Sequence, residues 1–460
     1  MYQIDFKHPV HVYFIGIGGI SMSGLAEILL SEGFRVSGSD RQKSPLTAEL
    51  EAKNATIYYG QTCSHITSDV DLVVYTSAIK DTNPEMIGAG ALQIPMLSRA
   101  ELLGQLMKNY KLPIAISGTH GKTTTTSMLS EVLLAEDTDP TLSIGGILPS
   151  IGGNYRVGND NYFVTEACEY TDSFLHFFPK ISIILNIEAD HLDYFKDLNH
   201  IRDSFRKFAA LLPQEGILLI NSDIDNYGDI TEGLNCKVIT FGSEEDADYS
   251  FADLSFDEMA RPTFTLVRNG QKTDRKYSLG VTGKHNVINA LSVIAMSELL
   301  GLSEEKTAAS LQKFTGTERR FEYKGDYHGV TVIDDYAHHP TEIRATLTAA
   351  RNYPHNTIWC VFQPHTYTRT YAFMDDFAKA LGLADRVVLA DIYAARETDT
   401  LGISSETLQE RIKALGTVCD YFPSFEEIQE FLKKNCTKGD LLITMGAGDV
   451  VKIGENLLLE

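Results

Sequence analysis

No stretch of this chain is long and apolar enough to cross a bilayer, and Met1 to Val10 lack the apolar segment of an export signal. The expectation is a cytoplasmic protein with no membrane partner. Cysteine is sparse. Cys63, Cys168, Cys236, Cys360, Cys419 and Cys436 form no C-x-x-C pair and no metal spacing, so reduced thiols are expected. Positive charge also falls short: 40 Lys and Arg face 62 Asp and Glu, a formal charge of −22. That balance argues against a nucleic-acid partner. It also means that an anionic substrate must be drawn in by local cations or metal ions against an unfavourable overall field. Short-period repeats and low-complexity segments are missing too. A length of 460 residues predicts about three domains with ample cores.

What is present centres on Ile114-Ala115-Ile116-Ser117-Gly118-Thr119-His120-Gly121-Lys122-Thr123-Thr124-Thr125-Thr126. Ile114 to Ser117 reads as a buried strand, and a helical face of Met128, Leu129, Val132 and Leu133 follows the glycines. Strand, glycine turn, Lys-Thr and helix make a phosphate-binding loop. Backbone N–H groups and the helix N-terminus attract phosphate oxygens, and Lys122 reaches the terminal phosphates. The Thr123 hydroxyl suits Mg²⁺. Two residues separate the glycines where the standard pattern has four. Four threonines are poor helix openers, so their presence predicts hydroxyls wanted at the phosphate. A plain strand–helix turn is the alternative.

Nearer the N-terminus, His11 to Ile15 reads as a strand leading into Gly16-Ile17-Gly18-Gly19-Ile20-Ser21 and an apolar helix through Leu30. A second strand from Phe34 to Ser37 precedes Gly38-Ser39-Asp40. This is a βαβ opening with a dinucleotide-type turn whose third glycine is Ser21. By itself it suggests NAD, with Asp40 on a ribose, or a purely structural turn. Leu72 to Tyr75 and the turn at Ser77 continue an open α/β sheet, and Pro113 marks entry to the next domain.

In the middle of the chain, strands at Tyr162–Thr165 and Ile181–Leu185 end in Glu166 and in the Asn186–Asp193 run. Ligands of parallel α/β sheets sit beyond strand carboxyl ends, so Glu166 and His191 are expected beside Lys122 as Mg²⁺ ligands. A helix opens at Gly283-Lys284-His285-Asn286-Val287-Ile288-Asn289-Ala290, with Asn286 and Asn289 able to face one ligand and N-capping by Asn286 as the alternative. Strands at Val330–Asp334, Thr357–Phe362, Arg386–Asp391 and Asp440–Thr444 form a further open parallel sheet. His338, His365, Arg369 and Asp391 follow strand ends and can converge. Gly446-Ala447-Gly448-Asp449 is another glycine turn with no clear helix behind it, read as structural or as lining the acceptor site.

The Gly118–Thr125, Asn186–Asp193 and Gly283–Ala290 motifs resemble the ATP-binding signatures of the Mur ligases of peptidoglycan synthesis. Asp334-Asp335-Tyr336-Ala337-His338-His339-Pro340-Thr341-Glu342 and Phe362-Gln363-Pro364-His365-Thr366-Tyr367-Thr368-Arg369-Thr370 narrow the resemblance to one branch of that family. The likeness runs from about Val12 to Asp449, with motifs in the family's order. It implies an α/β protein of three domains: a Rossmann-like UDP-sugar-binding domain over 1–109, a P-loop ATP-binding domain over 110–315, and a Rossmann-like amino-acid-binding domain over 316–460. It implies ATP and Mg²⁺ as cofactors, and UDP-N-acetylmuramate and L-alanine as substrates joined through an acyl phosphate. Oligomeric state stays open between monomer and homodimer.

Residue by residue, the resemblance implies that Gly118, Thr119, His120, Gly121, Lys122, Thr123, Thr124, Asn286, Asn289, Arg320 and Asp335 hold ATP, with Asp335 on its ribose. Thr123 and Glu166 would bind one Mg²⁺ and His191 a second. Gly16, Gly18, Gly19, Ser21, Asp40 and Ser77 would hold UDP and not NAD. Tyr336, His338, His365 and Arg369 would face the amino acid, with His338 as base and Arg369 on its carboxylate. Lys122, Glu166, His191 and His338 are the expected catalytic set. Phe205 stands where sister ligases carry a carbamylated lysine, so that metal support is missing here. Three rivals remain: a recycling ligase that adds a whole tripeptide, an NAD(P)-dependent oxidoreductase fused to a nucleotide module, and a non-catalytic nucleotide-gated binding protein.

Overall fold

The strands of the computed structural model, which describes residues 2–76, 78–395 and 397–459, gather into three sheets. Ser77 lies outside the described residues. The first sheet has the spatial order Thr56–Tyr59, Arg35–Asp40, His11–Ile15, Leu72–Tyr75 and Met96–Ser98. All its pairs are parallel. Every residue of His11–Ile15 is buried, as a central parallel strand covered on both faces must be. The order reverses between His11–Ile15 and Leu72–Tyr75, which opens a crevice at their carboxyl ends. The Arg35–Asp40 strand is longer than the apolar run predicts, so Gly38, Ser39 and Asp40 belong to the strand itself.

The central sheet has ten strands. Lys237–Phe241, Ile217–Asn221, Ile181–Ile184, Leu112–Ser117, Tyr162–Ala167 and Thr141–Leu148 lie side by side and parallel. Antiparallel pairs extend both edges, although Tyr249–Phe256 itself joins Lys237–Phe241 in parallel. Gly153–Arg156 pairs with Thr141–Leu148, and Tyr249–Phe256, Pro262–Arg268 and Gln271–Ser278 form a meander at the other side. Those edge strands are polar on one face, and so they leave no apolar run to read. Helix Lys122–Ala135 packs on this sheet against helices Lys284–Leu299 and Glu304–Lys313. Met128, Leu129, Val132 and Leu133 are fully buried beneath it.

The third sheet runs Glu322–Tyr327, Val330–Asp335, Leu441–Met445, Ile358–Phe362, Arg386–Leu389 and Val418–Tyr421. Only its first strand is antiparallel. A helix, Val451–Leu458, does follow the Gly446 turn.

Two close approaches seat the first sheet on the central one. The Tyr155 ring lies on Gly24 of helix Ile20–Ser31, where a Cβ would come within 2.6 Å of the ring. Gly104 of helix Arg99–Met107 touches the backbone of His176, and a side chain there would strike the His176 carbonyl. Glycine at each contact lets its neighbour, a ring in one case and backbone in the other, lie against the helix backbone.

Candidate active site

Gly118 and Gly121 take φ of +146° and +82°, a region that side-chain-bearing residues avoid. Neither could carry a Cβ. At Gly118 it would meet Leu185, and at Gly121 it would lie 2.8 Å from the Asn289 amide oxygen. Asn186 pins the loop between them: its carbonyl oxygen accepts from the His120 N–H at 2.7 Å, and its amide donates to the His120 carbonyl at 3.0 Å. The Thr119 hydroxyl accepts from the Glu188 N–H at 2.9 Å. The loop is therefore built before any ligand arrives.

The Lys122 ammonium folds back onto its own loop, donating to the Gly118 and Thr119 carbonyls and to the Glu169 carboxylate at 3.1 Å. Burial opposes that charge, but Glu169 outweighs it and the lysine pKa rises. Glu169, 2% exposed, also stands 3.9 Å from Nε2 of His191. The motif reading missed it, although its place three residues beyond Glu166 at the same strand end was a usable signal. His191 adopts φ +52° and lies against the Tyr170 ring at 4.5 Å. Burial lowers its pKa, with Asp190 and Glu169 opposing, which leaves a neutral imidazole able to ligate.

The residues fit a magnesium ion. Glu166 Oε1 accepts from the Gly145 N–H at 2.5 Å, and a Cβ on Gly145 would sit 2.6 Å from Oε2. The next glycine, Gly146, borders Thr123. Thr123 and Glu166 thus flank one narrow segment and offer hard oxygen donors. Thr124 faces the neighbouring cavity, but Thr125 and Thr126 are fully buried, and their hydroxyls have no hydrogen-bond partner among the described residues. The expectation that all four threonines serve the phosphate is corrected: the second pair turns into the helix packing.

A cavity of about 610 Å³ opens beside the loop. That is the size of a small-molecule site. His120, Gly121, Thr124, Asn286, Asn289, Arg320 and Asp335 all line it, which suits a nucleotide. Asn286 is no N-cap, because Gly283 holds that position; its amide donates to the Thr282 carbonyl at 2.8 Å while its oxygen accepts from Asn289 at 3.0 Å. Arg320 lies over the Tyr336 ring at 5.2 Å and near Glu342. Asp335 accepts from the Phe321 N–H, the Ala337 N–H and the Thr346 hydroxyl. Burial pushes its pKa up to about 6, against Arg320. It holds the cavity wall in shape. His120, although buried, is pushed up to about 9, because Glu188 and Glu342 outweigh the desolvation.

A second cavity, about 210 Å³, is lined by Tyr170, Asp190, His191, Tyr336, His338, His365 and Arg369. His338 Nδ1 is 3.0 Å from the Tyr336 carbonyl. Since a carbonyl only accepts, Nδ1 carries the proton and Nε2 the lone pair. Burial lowers its pKa to about 4. Arg369 donates through Nε and Nη2 to Asp190 Oδ1, at 3.1 and 3.0 Å, and its Nη1 lies 3.3 Å from His365 Nδ1. The motifs gave no sign of this pairing. Asp190 is the acid that anchors the arginine, and its own pKa lies far below the usual carboxylate range despite burial. Ala447 lines this cavity, and the Gly446 carbonyl accepts from Arg319, so the last glycine turn both borders the cavity and ties down a neighbouring arginine.

At the first sheet, Gly16 has φ +82° and Gly19 caps helix Ile20–Ser31 without a side-chain bond. Ser21 is exposed on that helix. Asp40 Oδ2 accepts from the Gly18 N–H at 2.8 Å, and a Cβ on Gly18 would press on Asp40 and Thr47. Asp40 thus shapes the turn directly. Phe205 is wholly buried, edge-on to Phe174 at 5.3 Å, and belongs to the core.

The profile of the Mur ligase family catalytic domain matches residues 11–111, that of the Mur ligase middle domain 116–297, and that of the Mur ligase glutamate ligase domain 319–448. A UDP-N-acetylmuramate–L-alanine ligase of Lachnospira eligens is 60% identical over 459 residues, covering 100% of both chains. One of Agathobacter rectalis is 59% identical over the same length and coverage. The crystal structure of a UDP-N-acetylmuramate–alanine ligase from Thermotoga maritima superposes with TM-score 0.80 at 30% identity over 98% of each chain. A murein peptide ligase from Psychrobacter arcticus gives 0.70 at 26% identity, again over 98% of each. By these matches along its whole length, the chain belongs to the Mur ligase family.

Proposed function

We propose that this protein joins the carboxylate of UDP-N-acetylmuramate to the amino group of L-alanine, at the expense of ATP, in cytoplasmic peptidoglycan precursor synthesis. One observation carries the reading. The Asn186–Asp193 loop divides two cavities: Glu188 lines the larger and Asp190 and His191 the smaller, with Lys122, Glu166 and Glu169 at its foot. A site with a nucleotide-sized chamber on one side and an amino-acid-sized one on the other suits a ligase.

The proposed division of labour gives the sugar nucleotide to 1–109, ATP to 110–315 and the amino acid to 316–460. Thr123 and Glu166 would hold Mg²⁺, and His191 a second ion. The chemistry that ATP and Mg²⁺ supply there is phosphorylation of the substrate carboxylate, which replaces an oxide leaving group by phosphate. Lys122, released from its own carbonyls, neutralises charge in that transfer, and Glu169 holds it in line. His338 takes the proton of the incoming ammonium at Nε2. With its pKa at about 4 it is a weak base, but one that stays neutral at physiological pH. Asp190 fixes the Nε side of Arg369, leaving the Nη1 side toward the alanine carboxylate. Asp40 and the Gly16–Gly19 turn serve the UDP end.

The recycling reading, with a tripeptide acceptor, finds less support, since about 210 Å³ suits one small amino acid. The deciding experiment is phosphate release with ATP, UDP-N-acetylmuramate and each acceptor in turn. Release with L-alanine and not with tripeptide is expected; release only with tripeptide would overturn the reading.

A further inference from the structure

Where the first sheet meets the central one stands a cation with no place in the chemistry above. Arg99 opens helix Arg99–Met107 directly after strand Met96–Ser98. That strand is parallel to Leu72–Tyr75, which is parallel to His11–Ile15, so Arg99 emerges at the same edge as the Gly16–Gly19 turn. Its helix lies on the Tyr170–His176 segment through Gly104. The guanidinium is close enough to feel the Cys168 thiol, which stands between Glu166 and Glu169 and within the field of Lys122. Arg99 therefore sits between the sugar-nucleotide edge and the phosphoryl-transfer site.

Among the described residues, the other partly buried arginines are all engaged. Arg156, Arg202, Arg319, Arg320 and Arg369 pair with carboxylates, and Arg386 lies over Trp359. Arg99 has no hydrogen bond, ion pair or ring partner among the described residues, in a chain with 62 acidic residues. A cation withdrawn from water without a counter-ion is unfavourable, and burial lowers the pKa of this one. An entering anion would relieve that penalty.

We propose that Arg99 binds the carboxylate of the sugar nucleotide and delivers it to the phosphate site. This rests on the functional reading above. The reaction brings two anions together, the carboxylate and the terminal phosphate, on a protein of charge −22. A planar guanidinium grips a carboxylate through two parallel hydrogen bonds and neutralises it on approach.

Calorimetry on Arg99→Met, Arg99→Lys and wild type tests this with three probes: UDP-N-acetylmuramate, UDP-N-acetylglucosamine (which lacks the carboxylate) and ATP. Arg99→Met should bind UDP-N-acetylmuramate at least about tenfold more weakly, the scale of a lost charged hydrogen bond. It should bind UDP-N-acetylglucosamine and ATP as wild type does, which also reports an intact fold. Arg99→Lys should recover part of the loss. Unchanged UDP-N-acetylmuramate affinity in Arg99→Met would overturn the proposal. An equal loss for UDP-N-acetylglucosamine would overturn it too, by moving the arginine to the diphosphate. Failure of wild type to bind UDP-N-acetylmuramate would instead overturn the functional reading itself.

Discussion

Lys122 and Glu169 form the ion pair at the centre of the proposed phosphate site, and each makes a separate prediction. Lys122→Ala should lower turnover by at least about a hundredfold, the scale for losing one preorganised charge donor. UDP-sugar binding, measured by calorimetry, should survive. Glu169→Ala leaves a buried ammonium without its carboxylate, a change that costs about 3–5 kcal/mol in comparable pairs. Denaturant melts should register that loss. His338 adds a pH test. Burial holds its pKa near 4, with Glu342 opposing, against an ordinary value of 6.5. As pH falls from 6.5 towards 4, the unfolded chain takes up a proton that the folded chain refuses, so this group withdraws stability across that window. His338→Gln removes the effect, and the variant should lose less stability than wild type between those values. Parallel stability curves would mean that His338 takes up its proton as readily in the fold as in the unfolded chain.

At the scale of elements, three successive residues of the Asn186–Asp193 loop are gripped from the third sheet's side. Thr341 donates to Glu188 at 2.6 Å, His339 Nε2 donates to the Ala189 carbonyl at 3.1 Å, and Arg369 holds Asp190. The loop is thus a clasp between two domains. Asp190→Ala should strand Arg369, and amide hydrogen exchange should rise through residues 188–191; unchanged protection there would show that the clasp is held elsewhere. Gly104→Ala should push helix Arg99–Met107 off the Tyr170–His176 segment and lower the melting temperature by several degrees.

The sequence made the central strands legible, because His11–Ile15, Leu72–Tyr75 and Ile181–Ile184 are apolar along almost their whole length and buried on both faces. It made the Gly118–Gly121 turn legible because only glycine tolerates the backbone of 118 and 121. The meander through Gln271–Ser278 was hidden by its polar outer face. Asp190 and Arg99 were hidden for another reason: their significance lies in which residue from another domain stands opposite, and no local pattern carries that.

In the molecule as a whole, the proposed reaction requires three domains to bring three ligands to one point. Phe205 in the core implies that activity is independent of bicarbonate, since no lysine is there to be carbamylated. The proposed reaction fixes the order of bonds made across the clasp: carboxylate oxygen to phosphorus first, amine nitrogen to carbon second. UDP-N-acetylmuramate labelled with ¹⁸O in its carboxylate tests this most directly. When the enzyme ligates it to L-alanine with unlabelled ATP, one labelled oxygen should leave with the phosphate, because the carbon–oxygen bond of the acyl phosphate is the one that breaks. Mass spectrometry of the released phosphate should therefore find one ¹⁸O per turnover; phosphate free of label, with amide still formed, would contradict the account.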